Sequence, residues 1–332
     1  MSRAEARINA DPVVQELARA LGVRLRLSES LKNEVVKRAI GKVEDWFGET
    51  GIEPETLADV QALVRNRTRM RVQRIETDAD FEAAKAVIPT GVPVQLEMEF
   101  QRGTEAVVVR RDSVDRLGAK YVAVIDARGE NARRAWFGER HEGAHLIVPD
   151  SSAQVVWRRT REERPEPLEQ VIDAIASGVG FWAPIVRRQL TASMSDGVNL
   201  LDAFEHAHAM LCPDASRQAA FAAFLRYVDR PAVVIWTKFG ASKQEDRSPL
   251  ESFALRVGHV HCNAPAVARG LRVWKNFRIP PDSIITVAYS DQTHTRVDED
   301  NLARWPTDSG KGLINFPVII SARGHWAIIA AK

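Results

Sequence analysis

Residues Arg134–Asp150 read RAWFGERHEGAHLIVPD, and the H-E-x-x-H string at the centre of this stretch decides how the chain is interpreted. On a helix, His141 and His145 project from one face one turn apart, so both imidazoles can reach a single zinc ion. Glu142 lies beside them, where a carboxylate can take a proton from water. The string therefore indicates half of a zinc site.

A helix of about four turns fits around this string. Asn131 is a suitable N-cap, and Pro149 stops the helix shortly after the second histidine. Gly138 and Gly143 each cost such a helix about 1 kcal/mol relative to alanine, so we expect them to allow close approach of another part of the chain. A surface helix with solvated charges is the alternative, but the apolar neighbours of the motif favour burial.

A second predicted helix offers the third ligand. The segment PLEQVIDAIASGVGFWAP, residues 167–184, carries apolar residues at helical spacing between two prolines. Glu169 and Asp173 lie one turn apart on the same face, so either carboxylate could reach the metal. Acidic residues near a helix N-terminus also favour the helix dipole without any metal.

Composition limits the class of protein. The chain has 332 residues, 45% of them hydrophobic and 27% charged, which predicts two or three globular domains. Its apolar runs are too short to cross a bilayer, and the N-terminus lacks an apolar signal region. Two cysteines and a net charge of +2 fit a cytoplasmic protein that does not bind nucleic acid through its overall charge. We therefore expect a cytoplasmic location and no membrane partner.

Periodicity predicts helices over residues 12–75 and a helical hairpin over residues 199–229. Strands are predicted where short Val-rich or alternating runs occur. These runs are VPVQLEMEF (92–100), EAVVVRR (105–111), KYVAVIDA (120–127), AVVIWTKF (232–239), FALRVGHVHCN (253–263), SIITVAYS (283–290) and FPVIISARGHWAIIAA (316–331). The fold class is therefore α+β, with a mainly β C-terminal portion.

Three further features have two interpretations each. The arginine runs at residues 65–74 and 157–164 could hold phosphates, although a solvated face is the usual role of such runs. The hairpin could read DNA, but its second helix is rich in alanine and phenylalanine, which favours a structural role. His259 and His261 share one face of a strand, which fits either a second metal site or a polar face.

The stretch from about residue 79 to residue 184 resembles the ImmA/IrrE-like zinc metallopeptidases, which carry an H-E-x-G-H helix followed by a helix with a carboxylate ligand and a closing proline. ARRAWFGERHEGAH and DAIASGVGFWAP stand at these two motifs. The resemblance implies His141, His145 and Asp173 as zinc ligands and Glu142 as the general acid/base, with Glu169 as the alternative ligand. Asp173 stands where the family usually has Glu, and the glycine before the second histidine is displaced to position 143.

The resemblance also implies the domain order. It predicts an N-terminal helical region (1–78), a zincin-like metallopeptidase core (79–195), a helical hairpin linker like a helix-turn-helix (196–230) and a GAF-like, sensor-like domain (231–332). The implied substrate is a helix-turn-helix transcriptional repressor, whose cleavage releases stress-response, DNA-repair, mobile-element or phage-defence genes.

Two alternatives stay open from the sequence alone. One is a non-proteolytic regulatory or toxin-antitoxin-type binding protein that keeps the fold and senses nucleic acid as an activator at the arginine runs. The other is a zinc hydrolase that acts on a bond other than a peptide bond.

Overall fold

Three of the four helices that precede the first strand lie within residues 12–75, where the periodicity predicts helices, but residues 70–75 at the end of that range form the first strand instead. The computed structural model describes residues 3–23, 30–85, 92–111, 113–148, 155–157, 166–194, 197–240, 253–305 and 315–332. The four helices are α1 (Arg3–Asn9), α2 (Pro12–Ala20), α3 (Leu31–Thr50) and α4 (Leu57–Thr68). A capping box between Thr56 and Asp59 begins α4.

The fold is mixed α+β, and the chain packs as two compact units. The first comprises Met1–Ile185 with Asp214–Ser216, and the second comprises Val186–Pro213 with Arg217–Lys332. The boundary falls within α9 (Ala183–Ser193). The second unit therefore contains both the predicted hairpin and the predicted C-terminal strands.

The sheet of the first unit has four strands in the order β1-β3-β2-β4. They are β1 (Met70–Ile75), β2 (Ala106–Arg110), β3 (Tyr121–Asp126) and β4 (Val155–Trp157). β1 and β3 are parallel, whereas β2 is antiparallel to both of its neighbours. Residues 105–111 and 120–127 thus contain strands, as the sequence predicts.

Two helices, α5 (Asp78–Lys85) and α6 (Val92–Gln101), follow β1 in the chain. The prediction of a strand over residues 92–100 is wrong, because α6 occupies this segment. Leu96 and Phe100, one helical turn apart, are buried against Val107 and Val109 of the sheet. This packing uses the four-residue spacing of the segment rather than its two-residue alternation.

The long helix α7 (Ala132–Ile147) contains the H-E-x-x-H string, and α8 (Pro167–Gly180) contains both candidate carboxylates. α7 packs on the face of the sheet that carries Ala106 and Ile125. Pro149, predicted to stop α7, lies outside the described residues. Both predicted helices therefore form, and α7 is buried along most of its length.

In the second unit, α10 (Leu200–Leu211) and α11 (Arg217–Phe224) form the predicted hairpin. A five-stranded antiparallel sheet follows, in the order β6-β5-β9-β8-β7. The strands of this sheet and the helices between them are, in chain order, β5 (Ala232–Gly240), β6 (Ala254–Cys262), α12 (Ala264–Ala268), α13 (Ile284–Asp291), β7 (Arg296–Asn301), β8 (Pro317–Arg323) and β9 (Trp326–Ala331). The Phe221 ring lies 5.3 Å from Trp326 of β9, so the hairpin packs on this sheet.

The prediction of a strand over residues 283–290 is also wrong, because this segment is α13. The Ser283 side chain accepts a hydrogen bond from the Ile285 amide and caps the helix. Ile285 and Ala288, three residues apart, are both fully buried in the core on one face of the sheet. Burial of this helical face outweighs the β propensity of the Ile, Thr and Val residues.

Candidate metal centre

The two histidines of the H-E-x-x-H string face each other across one turn of α7. His141 Nε2 lies 3.1 Å from His145 Nε2, and the ring centroids are 4.9 Å apart. His141 is 1% exposed and His145 6%, so both rings have been withdrawn from water. The structure therefore gives these residues the geometry expected from their four-residue spacing.

Two glycines of α7 pack closely against neighbouring elements and so help to fix the position of this helix. A Cβ atom on Gly138 would lie 3.4 Å from Ala106 Cβ in the sheet, and one on Gly143 would lie 3.3 Å from Val64 Cγ1 of α4. Both glycines thus let neighbouring elements approach α7 closely, as the sequence predicts. The Lys42 ammonium group donates a hydrogen bond to the Ile147 carbonyl at 2.7 Å, where a cation also suits the helix dipole.

Glu169, in the first turn of α8, brings a carboxylate to both histidines. Its Oε2 atom lies 3.0 Å from His141 Nε2, and its Oε1 atom lies 3.6 Å from His145 Nε2. Burial raises the pKa of Glu169, but hydrogen bonds and charge interactions with the two histidines outweigh it, and the pKa lies well below its usual value. The carboxylate is therefore held in its ionised form.

Asp173 lies one turn further along α8 and contacts the other nitrogen of His141. Its Oδ1 atom is 2.8 Å from His141 Nδ1, and its side chain is 43% exposed. When Nδ1–H donates to a carboxylate, the lone pair of the imidazole stands on Nε2, the nitrogen that faces His145 and Glu169. The structure thus brings both candidate carboxylates to His141, but at opposite nitrogens.

The donor set fits a small divalent ion. One ligand atom each from His141, His145 and Glu169 lie within 4.8 Å of one another. Ligand atoms around one tetrahedral zinc ion stand about 3.3 Å apart, because each bond is about 2.0 to 2.2 Å long. The two Nε2 atoms are 3.1 Å apart, His141 Nε2 lies 3.0 Å from Glu169 Oε2, and His145 Nε2 lies 3.6 Å from the other carboxylate oxygen, Oε1, so each distance is close to this value. Two imidazoles with one carboxylate also match the ligand preference of zinc.

Glu142, the candidate general base, follows the first of these histidines in α7 and is completely buried. Its position beside His141 on the helix is the one that the motif predicts. A buried carboxylate has a smaller hydration shell to lose during a proton transfer, and its proton affinity depends strongly on nearby charges.

Contacts that the sequence did not predict join α7 to α8. The Arg140 guanidinium group lies 3.4 Å from the centroid of the Trp136 ring and donates to the Trp136 carbonyl at 2.7 Å. A Cβ atom on Gly180 would lie 2.7 Å from Arg140 Cδ, so this glycine admits the arginine stem. The Trp136 and Phe181 rings are 4.9 Å apart. An arginine beside an aromatic residue four positions earlier is the sequence signal for this contact.

Three of the five arginines in the first run form ion pairs within the protein. Arg65 pairs with the buried Glu139 of α7, Arg67 pairs with Glu49 at 2.7 Å, and Arg71 approaches Asp115 at 4.0 Å. Residues 158–164 of the second run lie outside the described residues. Contacts within the protein therefore account for three arginines of the first run, whereas Arg69 and Arg74 are exposed to solvent.

The strand histidines show the predicted alignment. His259 pairs with Trp236 and His261 with Val234 in the register of β5 and β6, which places both histidines on one face of the sheet. Within the described ranges, His141, His145 and Glu169 are the one group of three or more His, Cys, Asp or Glu side chains arranged to hold a metal ion. The pair on β6 lacks a third such ligand there.

The second helix of the hairpin faces the protein interior. Ala220, Phe221, Ala223 and Phe224 are buried, and Arg217 pairs with Glu205 of α10 at 3.0 Å. These contacts account for α11 as a packing element. They leave few side chains of α11 to enter a DNA groove.

Similarity to known proteins does not identify the chain. No protein-family model matches the sequence. No curated protein matches it either. None of the described helices is both long enough and apolar enough to span a membrane. The function therefore has to be inferred from the site itself.

Proposed function

We propose that this protein is a zinc-dependent endopeptidase. The observation that carries the proposal is the convergence of His141, His145 and Glu169, because an H-E-x-x-H helix and a carboxylate on the next helix are the parts that such an enzyme requires. A binding protein that takes no metal ion would not need these three donors within 4.8 Å of one another.

The protein would hold zinc through Nε2 of each histidine and through the carboxylate of Glu169. Asp173 would serve as the partner of His141 Nδ1, since it contacts that nitrogen at 2.8 Å. This assignment prefers Glu169 to Asp173, the ligand that the family resemblance implies, because Glu169 contacts the Nε2 atoms of both histidines whereas Asp173 contacts Nδ1 of His141. When bound, zinc supplies a Lewis acid that polarises a scissile carbonyl and lowers the pKa of water.

Glu142 would act as the general base and then as the general acid. Its carboxylate accepts the proton of the attacking water and passes it to the nitrogen of the leaving group. The peptide bond then breaks to release a neutral amine rather than a nitrogen anion. Complete burial of Glu142 favours this role, since bulk solvent does not reach the carboxylate to exchange its proton.

The substrate that we propose rests on the family resemblance alone. ImmA/IrrE-like peptidases share the two motif segments described above, and on that analogy the substrate is a helix-turn-helix transcriptional repressor. Cleavage would release stress-response, DNA-repair, mobile-element or phage-defence genes.

Cleavage of a helix-turn-helix repressor encoded beside this protein tests the proposal. The zinc-loaded wild type and the Glu142→Gln variant are compared by gel electrophoresis and mass spectrometry of the products. We expect a discrete cut by the wild type, and no cut by the variant despite equal zinc content. Equal cutting by both proteins would contradict the role of Glu142.

A non-proteolytic regulatory protein is the principal alternative, and the same experiment separates it. That function predicts a stable complex with the repressor, no new peptide products, and no difference between the wild type and Glu142→Gln. A zinc hydrolase with another substrate predicts that the repressor is left intact while small ester or amide substrates are hydrolysed by the wild type only.

A further inference from the structure

Several basic and aromatic side chains meet at the β6 edge of the second sheet, far along the chain from the metal centre. Arg226 and Tyr227 lie in a 3₁₀ turn (Leu225–Tyr227), and His259 and His261 lie on β6. Arg187 of α9 lies against the Tyr227 ring, and His259 and Arg226 are close enough to His261 to affect its charge, so we call these five residues the β6 basic cluster. All five residues belong to the second unit.

The backbone around the cluster is fixed by Asn263, which follows β6. Its side-chain amide donates to the Val228 carbonyl at 2.9 Å and to the Arg230 carbonyl at 2.8 Å. Its side-chain oxygen accepts from the Ala232 amide at 3.1 Å and from the Ala266 amide at 2.9 Å. Asn263 is 5% exposed, so these bonds are shielded from water and hold the chain that follows the turn against the end of β6.

His261 has an unused polar atom in this cluster. Its Nε2 atom is buried, and no hydrogen-bond partner for it exists among the described residues. Burial lowers the pKa of His261, and His259 and Arg226 lower it further, so its charged neighbours are the kind that repel a proton. In the tautomer that carries its proton on Nε2, an anion would supply the missing acceptor and offset the repulsion.

The other members of the cluster present donors and positive charge. The Arg187 guanidinium group lies 5.4 Å from the centroid of the Tyr227 ring. Among the residues that the structure describes, none provides Arg187 with a carboxylate ion pair. Burial raises the pKa of Tyr227, which keeps its hydroxyl group protonated and able to donate.

We propose that the β6 basic cluster binds the phosphate group of a small molecule. Guanidinium groups, an imidazole N–H and a phenolic hydroxyl are all donors, and phosphate oxygens are strong acceptors that suit the planar donor geometry of arginine. A nucleotide and free inorganic phosphate both carry this group.

Calorimetric titration of the full-length protein tests this proposal. The probes are inorganic phosphate, adenosine monophosphate and adenosine, at constant ionic strength set with sodium chloride. We expect phosphate and adenosine monophosphate to bind and adenosine to fail. Tighter binding of the nucleotide than of phosphate identifies the nucleotide as the source of the phosphate group, and equal binding identifies the free anion.

Two variants and one matched control locate the binding. Arg226→Gln and His261→Phe should each weaken phosphate binding by about tenfold or more, because each removes a donor to the anion. Arg269→Gln removes the same charge from an exposed residue outside the cluster and should bind as the wild type does. Circular dichroism confirms that each variant is folded.

The proposal is overturned if neither phosphate nor the nucleotide binds the folded wild type at millimolar concentration. It is also overturned if adenosine binds as well as the nucleotide, or if Arg269→Gln weakens binding as much as Arg226→Gln. The result is independent of peptidase activity, since Glu169→Gln should lose zinc and keep phosphate binding.

Discussion

At the scale of single residues, the identity of the third metal ligand depends on two carboxylates that lie one helical turn apart. Glu169 and Asp173 share a face of α8, so spacing alone allows either one to reach His141. The structure separates them, because Glu169 meets Nε2 of both histidines whereas Asp173 meets Nδ1 of one. The histidine pair could be predicted from sequence, but the third donor depends on how α8 lies against α7.

The first prediction concerns these carboxylates. Glu169→Gln should lose most of the zinc affinity, because the amide replaces an ionised ligand at two contacts. Asp173→Asn should weaken zinc binding by about 10- to 100-fold, the usual effect of losing the partner of a ligand histidine. Competition with a chromophoric chelator measures both affinities.

The opposite order would assign the third ligand to Asp173, as the family resemblance implies. Glu166→Gln offers a matched control, because Glu166 is exposed and precedes the first turn of the same helix. This variant should bind zinc as the wild type does.

The second prediction concerns Gln61 of α4, which packs behind the motif. Gln61 is 5% exposed, and its Nε2 atom lies 3.9 Å from where a Cβ atom on Gly143 would lie. Within the described residues, this Nε2 atom has no hydrogen-bond partner. A buried donor without a partner costs about 1 to 3 kcal/mol. Gln61→Met keeps the length of the side chain without the amide, so we expect an unchanged or higher free energy of unfolding in urea.

A clear loss of stability in Gln61→Met would mean that the amide makes a contact that the protein needs. Gln61→Ala is the matched comparison, because it removes the amide together with the packing volume. It should destabilise the protein by about 2 kcal/mol or more through the cavity that it leaves.

At the scale of helices and strands, the sequence predicts an element well where one periodicity dominates. α7 and α8 form where the helical spacing of apolar residues predicts them, and Pro167 lies in the first turn of α8, although neither helix has a side-chain hydrogen bond at its N-cap. The segments 92–100 and 283–290 carry strand-like signals, yet both fold as helices because buried pairs at three- or four-residue spacing face a sheet. β7, with the sequence RVDEDN, was not predicted because its mostly exposed side chains lack an apolar face.

The third prediction concerns the packing of α7 on α8. A methyl group on Gly180 would collide with the Arg140 stem at 2.7 Å and press on the Trp136 ring at 3.3 Å. Arg140 cannot move away freely, because its guanidinium group already stacks on that ring. Gly180→Ala should therefore destabilise the protein by about 1 to 3 kcal/mol. It should also weaken zinc binding, because α8 carries Glu169.

Gly48→Ala is the matched control for this substitution. Gly48 lies within α3, and no atom lies within 4 Å of the position of its Cβ. The change should stabilise the protein by up to about 1 kcal/mol, the difference in helix propensity between alanine and glycine. Urea unfolding of the two variants would contradict the packing argument if both changes had the same sign.

At the scale of the whole molecule, chain length predicts two or three domains, and the folded chain forms two compact units. The boundary is harder to predict, because it depends on packing between residues that are distant in sequence. Phe204 meets Phe221 at 5.6 Å, and Phe221 meets Trp326 at 5.3 Å, so the hairpin and the sheet share aromatic packing. Local sequence signals change from helical to β near residue 231 and give no sign of this packing.

The fourth prediction follows from having one candidate ligand site in each unit. A ligand that binds the folded state alone stabilises it by about 2.7 kcal/mol when its free concentration is 100 times its Kd. Zinc should therefore slow amide hydrogen exchange by up to about 100-fold in peptides from α7 and α8. Phosphate should slow exchange in peptides from β5, β6 and the 3₁₀ turn that contains Arg226.

Mass spectrometry of the full-length protein with each ligand, and with a chelator in place of zinc, measures both effects. Protection by zinc confined to the second sheet would contradict the metal centre, and protection by phosphate confined to α7 and α8 would contradict the β6 basic cluster.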